Sequence, residues 1–396
     1  MSQPQKMWDR HLLGKGVDRT LDRIAAMFPD ERTCTQIPSG TDLGQGWIVP
    51  DEWICKKAEI NGNPFQPIIY SQPIRVQRLD WADLLPHLFT IMSRLPALPV
   101  DTIPYRTSYY KKNWGFCVTK RDVQRVIEKG GWCAVEIDAE LKPGHMSYLE
   151  LDFPGWSKEP PIVFTTYVCH PEELWNDNTS GVLLATALAS YIKEKYTYDN
   201  RKYSYKFIFM PETLGSIAWL SRNTAPEHSM HITCVGRKGI YYKEPHRPGG
   251  ILDKAVKTAL IGKEHTMDTY YPWGSDERHF TLAGSMAGLL TSVRPYDSNK
   301  YPEYHTSADK EVSGQEDMLK LYMEVIDVLE KDREIGYRRC KGEPFGISFK
   351  HDDYHRAFAW ALVYADGKTL MSEVCQAEGI GFKQLRRAVQ DMEEQA

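Results

Sequence analysis

Hydrophobic residues in the central part of the chain form short unbroken runs that alternate with helical patterns. Runs such as IVFTTYVC before residue 170 and KFIFM before residue 211 predict strands that are buried on both faces. Between them, segments such as GVLLATALASYIKEK place apolar residues at helical spacing. This alternation predicts an α/β domain over residues 155–335, with a mostly parallel sheet and helices on both of its faces.

The segments on either side of this domain have different patterns. Residues 1–46 begin with an amphipathic helical pattern, and we assign them to the N-terminal helical part of the same α/β domain. Residues 47–154 contain short β-type runs broken by Pro, Gly and Asp, which predict a small β-rich inserted domain. Residues 347–396 show three helical patterns separated by tight turns, which predict a helical unit of the helix-turn-helix type.

Composition and charge exclude several classes of function. The 396 residues carry a formal net charge of only -4, so no global field attracts nucleic acid or anionic lipid. No apolar run approaches the roughly 18–20 residues of a membrane span, and the first residues lack the pattern of a secretory signal. The eight cysteines form no CxxC pair, which favours reduced thiols. We therefore expect a cytoplasmic protein without membrane contact.

Polar side chains follow the apolar strands at the points where ligands bind in open parallel sheets. Because the carboxyl ends of parallel strands meet at one edge, we expect these side chains to lie close together. Imidazole nitrogen and carboxylate oxygen are ligands of zinc, and catalytic zinc sites leave one position for water. The side chains that together predict a zinc site are His170, Asp177, Glu212 and His305.

Each of these residues also has a structural interpretation. Asp177 precedes a helix, so it could cap the N-terminus of that helix. The histidines could be hydrogen-bonded groups at the edge of the sheet. Only the convergence of several such residues favours a metal site.

Four longer motifs carry a resemblance to a known family. HPEELWNDNTSG, PETLGS, GSDER and YPEYHTSAD resemble the aminopeptidase-like proteins of bacterial polysaccharide and natural-product gene clusters, a branch of the zinc aminopeptidase fold. WIVPDEW and IPYRTSYYKKNWGF resemble the small inserted domain of those proteins, and the C-terminal segment resembles their winged-helix-like appendage. The resemblance implies that His170 is the first metal ligand, Asp177 the bridging carboxylate and His305 the second histidine.

The sequence departs from the two-zinc pattern of that fold at two places. Only Glu212 remains where the family has paired glutamates, and Arg237 stands where a further aspartate is expected. A cation at that position disfavours a second metal ion. We therefore predict one Zn²⁺ per chain, with Glu212 as the general base. In the competing assignment, Glu212 is a fourth ligand that closes the site and makes it structural.

Candidate substrate-binding residues surround this site. The resemblance places GSDER beside the substrate, where Arg278 could bind an acidic group and Asp276 or Glu277 an amine. In the alternative interpretation, the turn is solvated and Arg278 pairs with its own neighbours. The remaining candidates are Asn176, Tyr304 and, as lid residues of the inserted domain, Arg106 and Tyr109.

These observations predict a zinc-dependent, aminopeptidase-like hydrolase that cleaves an amide or peptide bond of a small or short peptide-like biosynthetic substrate. A homo-oligomer is compatible with this prediction. The alternatives are a binding protein that has lost the chemistry and a DNA-linked regulator. The last helical segment mixes basic residues with acidic ones, which favours packing over nucleic-acid binding. Its charged residues are Lys383, Arg386, Arg387, Asp391, Glu393 and Glu394.

Overall fold

The computed structural model describes residues 9–90, 98–294, 301–338 and 352–394. The strands are β1 (Arg32–Pro38), β2 (Asp42–Gly44), β3 (Trp47–Ile48), β4 (Glu52–Ile60), β5 (Asn63–Pro64), β6 (Gln66–Pro67), β7 (Ile74–Asp80), β8 (Leu88–Phe89), β9 (Phe116–Cys117), β10 (Trp132–Lys142), β11 (His145–Phe153), β12 (Ile162–Tyr167), β13 (Tyr205–Met210), β14 (His228–His231), β15 (Tyr241–Lys243), β16 (Thr266–Asp268) and β17 (Met286–Thr291). The α-helices are α1 (Lys15–Met27), α2 (Trp81–Leu84), α3 (Lys120–Lys129), α4 (Ser180–Lys195), α5 (Leu214–Leu220), α6 (Ile251–Leu260), α7 (Glu277–Leu282), α8 (Gln315–Lys331), α9 (Asp353–Val363), α10 (Met371–Glu378) and α11 (Phe382–Glu394). None of these helices is long and apolar enough to cross a membrane.

An eight-stranded sheet forms the centre of the molecule, in the order β1-β11-β13-β12-β14-β17-β15-β16. Its four middle strands, β13, β12, β14 and β17, are parallel. Every residue of β12 is buried, because helices cover both faces of the sheet. The α/β fold predicted from the sequence is therefore confirmed.

The inserted domain is smaller than the sequence predicts. It contains a four-stranded sheet, β5-β4-β10-β7, and a three-stranded sheet, β6-β9-β8. However, β11, which we assigned to this domain, pairs with β1 and β13 in the large sheet. The alternation in YLELDF is typical of a half-exposed strand, but Glu150 is buried and accepts hydrogen bonds from Lys206 and Trp219. The predicted boundary of the inserted domain at residue 154 therefore lies too far along the chain, because β11 belongs to the large sheet.

The C-terminal helices α9, α10 and α11 match the three helical patterns of the sequence. Their apolar residues belong to the same hydrophobic cluster as those of α6 and α8. Polar contacts reinforce this packing, because the Ser372 hydroxyl donates to Asp332 at 2.5 Å and Gln376 donates to the Lys254 carbonyl at 3.1 Å. Residues 352–394 contain no extended strand, so a winged-helix unit is not confirmed.

A carboxylate on α8 ties this helix to α4. Asp327 accepts hydrogen bonds from Tyr191, Tyr196 and Lys195 and contacts Lys331 at 3.0 Å. Burial alone would raise the pKa of Asp327, but these donors outweigh burial and lower it to about 2. The pKa of Asp327 is lower in the folded state than in the unfolded state. The ionised carboxylate therefore stabilises the fold at pH values above the pKa of an Asp in the unfolded chain.

Replacement of Asp327 by Asn is therefore expected to lower the free energy of unfolding by about 2 kcal/mol at pH 7. The difference between the two proteins should shrink as the pH falls from about 4 to about 2, because the wild-type carboxylate becomes protonated there. Urea denaturation of both proteins at pH 7, 4 and 2.5 measures this difference in the free energy of unfolding. A difference that stays constant over this range would contradict the assignment.

Candidate functional site

Three predicted metal ligands meet beyond the carboxyl end of β12. His170 follows β12, Asp177 lies in the turn that leads into α4, and His305 lies in the segment before α8. His170 Nε2 is 3.3 Å from His305 Nε2, and Asp177 Oδ2 is 3.0 Å from His305 Nε2 and 3.8 Å from His170 Nε2. Asp177 does not cap α4, because Thr179 occupies the capping position. The structure thus brings these three side chains together.

The spacing of the three ligand atoms fits one metal ion. With metal–ligand bonds of about 2.0–2.1 Å, atoms at the corners of a tetrahedron lie about 3.3–3.4 Å apart, which is the middle of the observed range. Asp177 Oδ2 is buried and accepts no hydrogen bond from the described residues. A buried carboxylate oxygen without a partner is costly unless a cation faces it. The three side chains could therefore hold one divalent cation and leave a fourth position open.

Asp177 is held in place from two sides. The Tyr167 hydroxyl donates to Asp177 Oδ1, and Thr233 donates to the Tyr167 hydroxyl at 2.7 Å. Asp309 accepts hydrogen bonds from the backbone N–H groups of Asn176 and Asp177 at 3.3 and 2.8 Å. Burial would raise the pKa of Asp177, but the two histidines and Tyr167 outweigh it and lower the pKa to about 2. The carboxylate is therefore ionised and oriented for a metal ion.

The two histidines are oriented by aromatic rings and by the N-terminal segment. Tyr304 stacks on His305 with a centroid distance of 3.9 Å. Tyr105 of the inserted domain packs against both imidazoles, at 5.1 and 5.3 Å, and its N–H donates to the His305 carbonyl at 2.7 Å. Arg10 donates to the His170 carbonyl and so fixes the turn after β12. The sequence did not single out Tyr105 or Arg10.

Glu212 lies at the end of β13, beside the metal-ligand group. Its N–H donates to Cys169 Sγ at 3.1 Å, and its Oε1 accepts a hydrogen bond from Ser275 at 2.7 Å. Glu212 lies outside the group of ligand atoms that are all within 4.8 Å of one another. This position suits a group that acts beside a metal ion.

The segment after Trp273 is anchored by a buried ion pair. Lys243 Nζ lies 2.6 Å from Glu277 Oε1, and both side chains are 0% exposed. Lys243 also donates to the carbonyl of Trp273 at 2.7 Å. Asp276 is fully buried, and its Oδ1 accepts a hydrogen bond from the Thr213 N–H at 2.7 Å. Burial and the charge of Glu212 raise the pKa of Asp276 well above its usual value.

Arg278 differs from these acidic neighbours because it is half-buried without a carboxylate partner. Its guanidinium donates to Thr213 Oγ1 and to His279 Nε2, both at 3.3 Å. Among the residues that the structure describes, no carboxylate lies within 4.0 Å of it. In the alternative interpretation Arg278 pairs with its own neighbours, and the contact with His279 is of that kind but involves no carboxylate.

Tyr110 of the inserted domain follows the predicted lid residue Tyr109 in the chain. Its ring contacts Trp47 edge-on at a centroid distance of 5.4 Å, and the residue is 57% exposed. Burial raises the pKa of Tyr110, the negative groups Glu212 and Asp276 raise it further, and Arg278 opposes them. The aromatic run YRTSYYKKNW contains Tyr110, but the sequence predicts Arg106 and Tyr109 as the lid residues.

The other predicted residues lie at different distances from the ligand group. Tyr109 is linked to the histidines through Tyr105, because the hydroxyls of Tyr105 and Tyr109 are 3.3 Å apart. Arg106 is exposed, and its carbonyl pairs with the inserted domain at Ile69. Asn176 is buried, and its Oδ1 accepts a hydrogen bond from the Gly236 N–H at 2.8 Å.

Arg237 stands where the resemblance implies a further metal-binding aspartate. Its guanidinium lies 3.0 Å from both Glu303 and Glu311. Within the described ranges, the ligand group contains only His170, Asp177 and His305. The geometry therefore agrees with a site for a single ion.

A family model described as a domain of unknown function, DUF4910, matches residues 6–332. The chain belongs to this family. A Clostridium acetobutylicum relative is 34% identical over 96% of this chain and 90% of its own length, and it is named, provisionally, as a polysaccharide biosynthesis protein with an aminopeptidase-like domain. The resemblance inferred from the four motifs is thus confirmed.

Solved structures extend this DUF4910 comparison to the fold. A crystal structure of a protein provisionally named a peptidase, from Clostridium acetobutylicum, has a TM-score of 0.80 at 32% identity and covers 97% of this chain and 91% of its own. A zinc aminopeptidase from Bacillus subtilis has a TM-score of 0.59 at 15% identity, covering 80% of this chain and 90% of its own. A peptidase M28 precursor from Shewanella amazonensis has a TM-score of 0.57 at 12% identity, covering 85% and 93%. The DUF4910 chain therefore has an aminopeptidase-like fold.

Proposed function

We propose that this protein is a zinc-dependent hydrolase that cleaves an amide or peptide bond. The observation that carries the proposal is the spacing of His170, Asp177 and His305, which fits one tetrahedral ion with an open position. The zinc aminopeptidase among the structural neighbours supports the choice of metal. When bound, zinc supplies an activated water near neutral pH and polarises a carbonyl group.

Glu212 is the general base in this proposal. A carboxylate beside the ligand group can accept a proton from the attacking water and pass it to the leaving amine. The hydrogen bond from Ser275 fixes one oxygen of Glu212, and the Cys169 contact fixes its backbone. Because these contacts hold the side chain, proton transfer takes place without a prior reorientation of Glu212.

We propose that the substrate is a small molecule or a short peptide-like compound of a biosynthetic pathway. Tyr105 of the inserted domain packs against the imidazoles of His170 and His305 and so limits the space for a folded protein. Tyr304 and Arg278 complete the proposed substrate contacts. The name of the Clostridium relative supports a role in biosynthesis.

A second candidate function is binding without catalysis. It is favoured by Arg237, which is paired with Glu303 and Glu311 at the position where the resemblance implies a further aspartate. Turnover of an amide by the wild-type zinc protein separates the two functions, because the binding function predicts none.

The protein purified without added zinc is expected to contain about one zinc per chain. Replacement of His170 or His305 by Ala should abolish zinc binding, since each removes one of three ligands. The Glu212→Gln variant should keep its zinc. Inductively coupled plasma mass spectrometry after dialysis at defined free zinc measures the zinc content.

His265→Ala is the control, because His265 is exposed and bonds only to the Lys263 carbonyl among the described contacts. Two tightly bound ions per chain would contradict the proposed site.

A further inference from the structure

The acidic side chains next to the ligand group are already engaged. Glu277 forms the buried pair with Lys243, and both Glu303 and Glu311 lie 3.0 Å from Arg237. Asp276 is fully buried and bonds to the Thr213 N–H. A substrate ammonium group could pair with one of these four carboxylates only by displacing its present contact.

Arg278 presents the opposite charge, and its hydrogen-bond partners among the described residues, Thr213 and His279, are neutral. A guanidinium is an arrangement of donors that matches a carboxylate with two parallel hydrogen bonds. The guanidinium of Arg278 donates a hydrogen bond to Thr213, the residue that follows Glu212 in the chain. This contact brings the guanidinium close to Glu212. An anion bound there would therefore lie close to the amide bond that Glu212 acts on, as the carboxylate of an amino acid does when its nitrogen is acylated.

We propose that Arg278 binds a carboxylate adjacent to the scissile amide, so that the substrates are N-acyl amino acids or short peptides with a free C-terminal carboxylate. This inference rests on the proposed hydrolase function and specifies its substrate class. It differs from aminopeptidase specificity, in which the free amino group of the substrate is recognised.

Binding to the zinc-loaded Glu212→Gln variant tests this proposal, because a variant with slow turnover leaves the probes intact. Calorimetry compares N-acetyl-L-alanine with N-acetyl-L-alaninamide, which has the same size without the charge, and with L-alaninamide, which carries an ammonium. The series is repeated with leucine, glutamate and phenylalanine side chains, and N-acetylphosphoethanolamine supplies a phosphate. We expect at least one carboxylate probe to bind ten-fold or more tightly than its amide.

Adding Arg278→Ala should remove this preference and weaken the carboxylate probe by about 10- to 100-fold. Arg278→Lys should restore part of it, and Arg247→Ala, which changes an exposed arginine, should have no effect. Circular dichroism and zinc content establish that each variant is folded. If no carboxylate probe binds more tightly than its amide, if only the ammonium or phosphate probes depend on Arg278, or if the preference survives Arg278→Ala, the inference is wrong.

The experiment distinguishes a failure of the proposed substrate class from a failure of the proposed hydrolase function. Loss of the carboxylate preference in a protein that binds zinc and turns over amides would overturn only the substrate class. A protein without zinc or turnover that still binds carboxylates through Arg278 would overturn only the hydrolase function.

Discussion

The Glu212→Gln variant is expected to lose turnover by a factor of about 10²–10⁴ while keeping its zinc and its affinity for substrate. Glutamine occupies the same space and can still accept the hydrogen bond from Ser275, but it cannot take a proton from water. The loss should therefore fall on kcat rather than on KM. Steady-state kinetics on the amide that the wild-type zinc protein hydrolyses fastest, chosen from the probe series above, measures both constants.

Two controls sharpen this experiment. Glu264→Gln changes an exposed carboxylate and should leave kcat unchanged. Ser275→Ala removes the hydrogen bond to Glu212 but leaves its carboxylate, so it should lower kcat far less than Glu212→Gln. A Gln variant with wild-type kcat would refute the assignment and leave Asp276 as the next candidate base. A wild-type protein that binds zinc and substrate without turning over any amide would favour the binding function.

The candidate metal ligands and Glu212 could be predicted from the sequence because their signal is local. His170 and Glu212 directly follow apolar strands, and the topology of a parallel sheet brings such strand ends to one edge. Asp177 and His305 were assigned from their motifs, and all three ligands do converge. Helix α4 could be predicted for the same reason, since its segment carries its own helical pattern.

The residues that orient these ligands could not be predicted in this way. Tyr105 belongs to the inserted domain, and its contact with His170 depends on how that domain folds back onto the sheet. Arg10 contacts the carbonyl of His170 from the N-terminal segment, 160 residues earlier in the chain. Such contacts depend on tertiary packing, and no short pattern in the sequence records them.

Charged residues show most clearly that short sequence patterns do not record tertiary contacts. Arg237 and Arg278 look alike in the sequence, yet the structure pairs one with two carboxylates and gives the other only neutral partners. Likewise, Glu277 was expected to lie beside the substrate, but it pairs with Lys243, a residue 34 positions away at the end of a buried strand. Lysine is seldom fully buried, so nothing in the local pattern pointed to this pair.

Replacement of Lys243 by Met is expected to lower the free energy of unfolding by about 3–5 kcal/mol, because it leaves the fully buried Glu277 without its cation. Lys243 also donates to the carbonyls of Tyr271 and Trp273, at 3.2 and 2.7 Å. Its loss should therefore loosen the segment that carries Ser275 and lower kcat as well. Urea denaturation and steady-state kinetics measure the two effects.

The double variant Lys243→Met/Glu277→Leu separates the charge from the packing. It removes both buried charges, so it should recover much of the lost stability. It should not recover kcat fully, since the carbonyls of Tyr271 and Trp273 still lack their donor. Lys320→Met is the control, because its pair with Glu316 is exposed and should contribute less than about 1 kcal/mol. If Lys243→Met destabilised the protein no more than Lys320→Met, the buried pair would not anchor this segment, and the position of Ser275 beside Glu212 would need another cause.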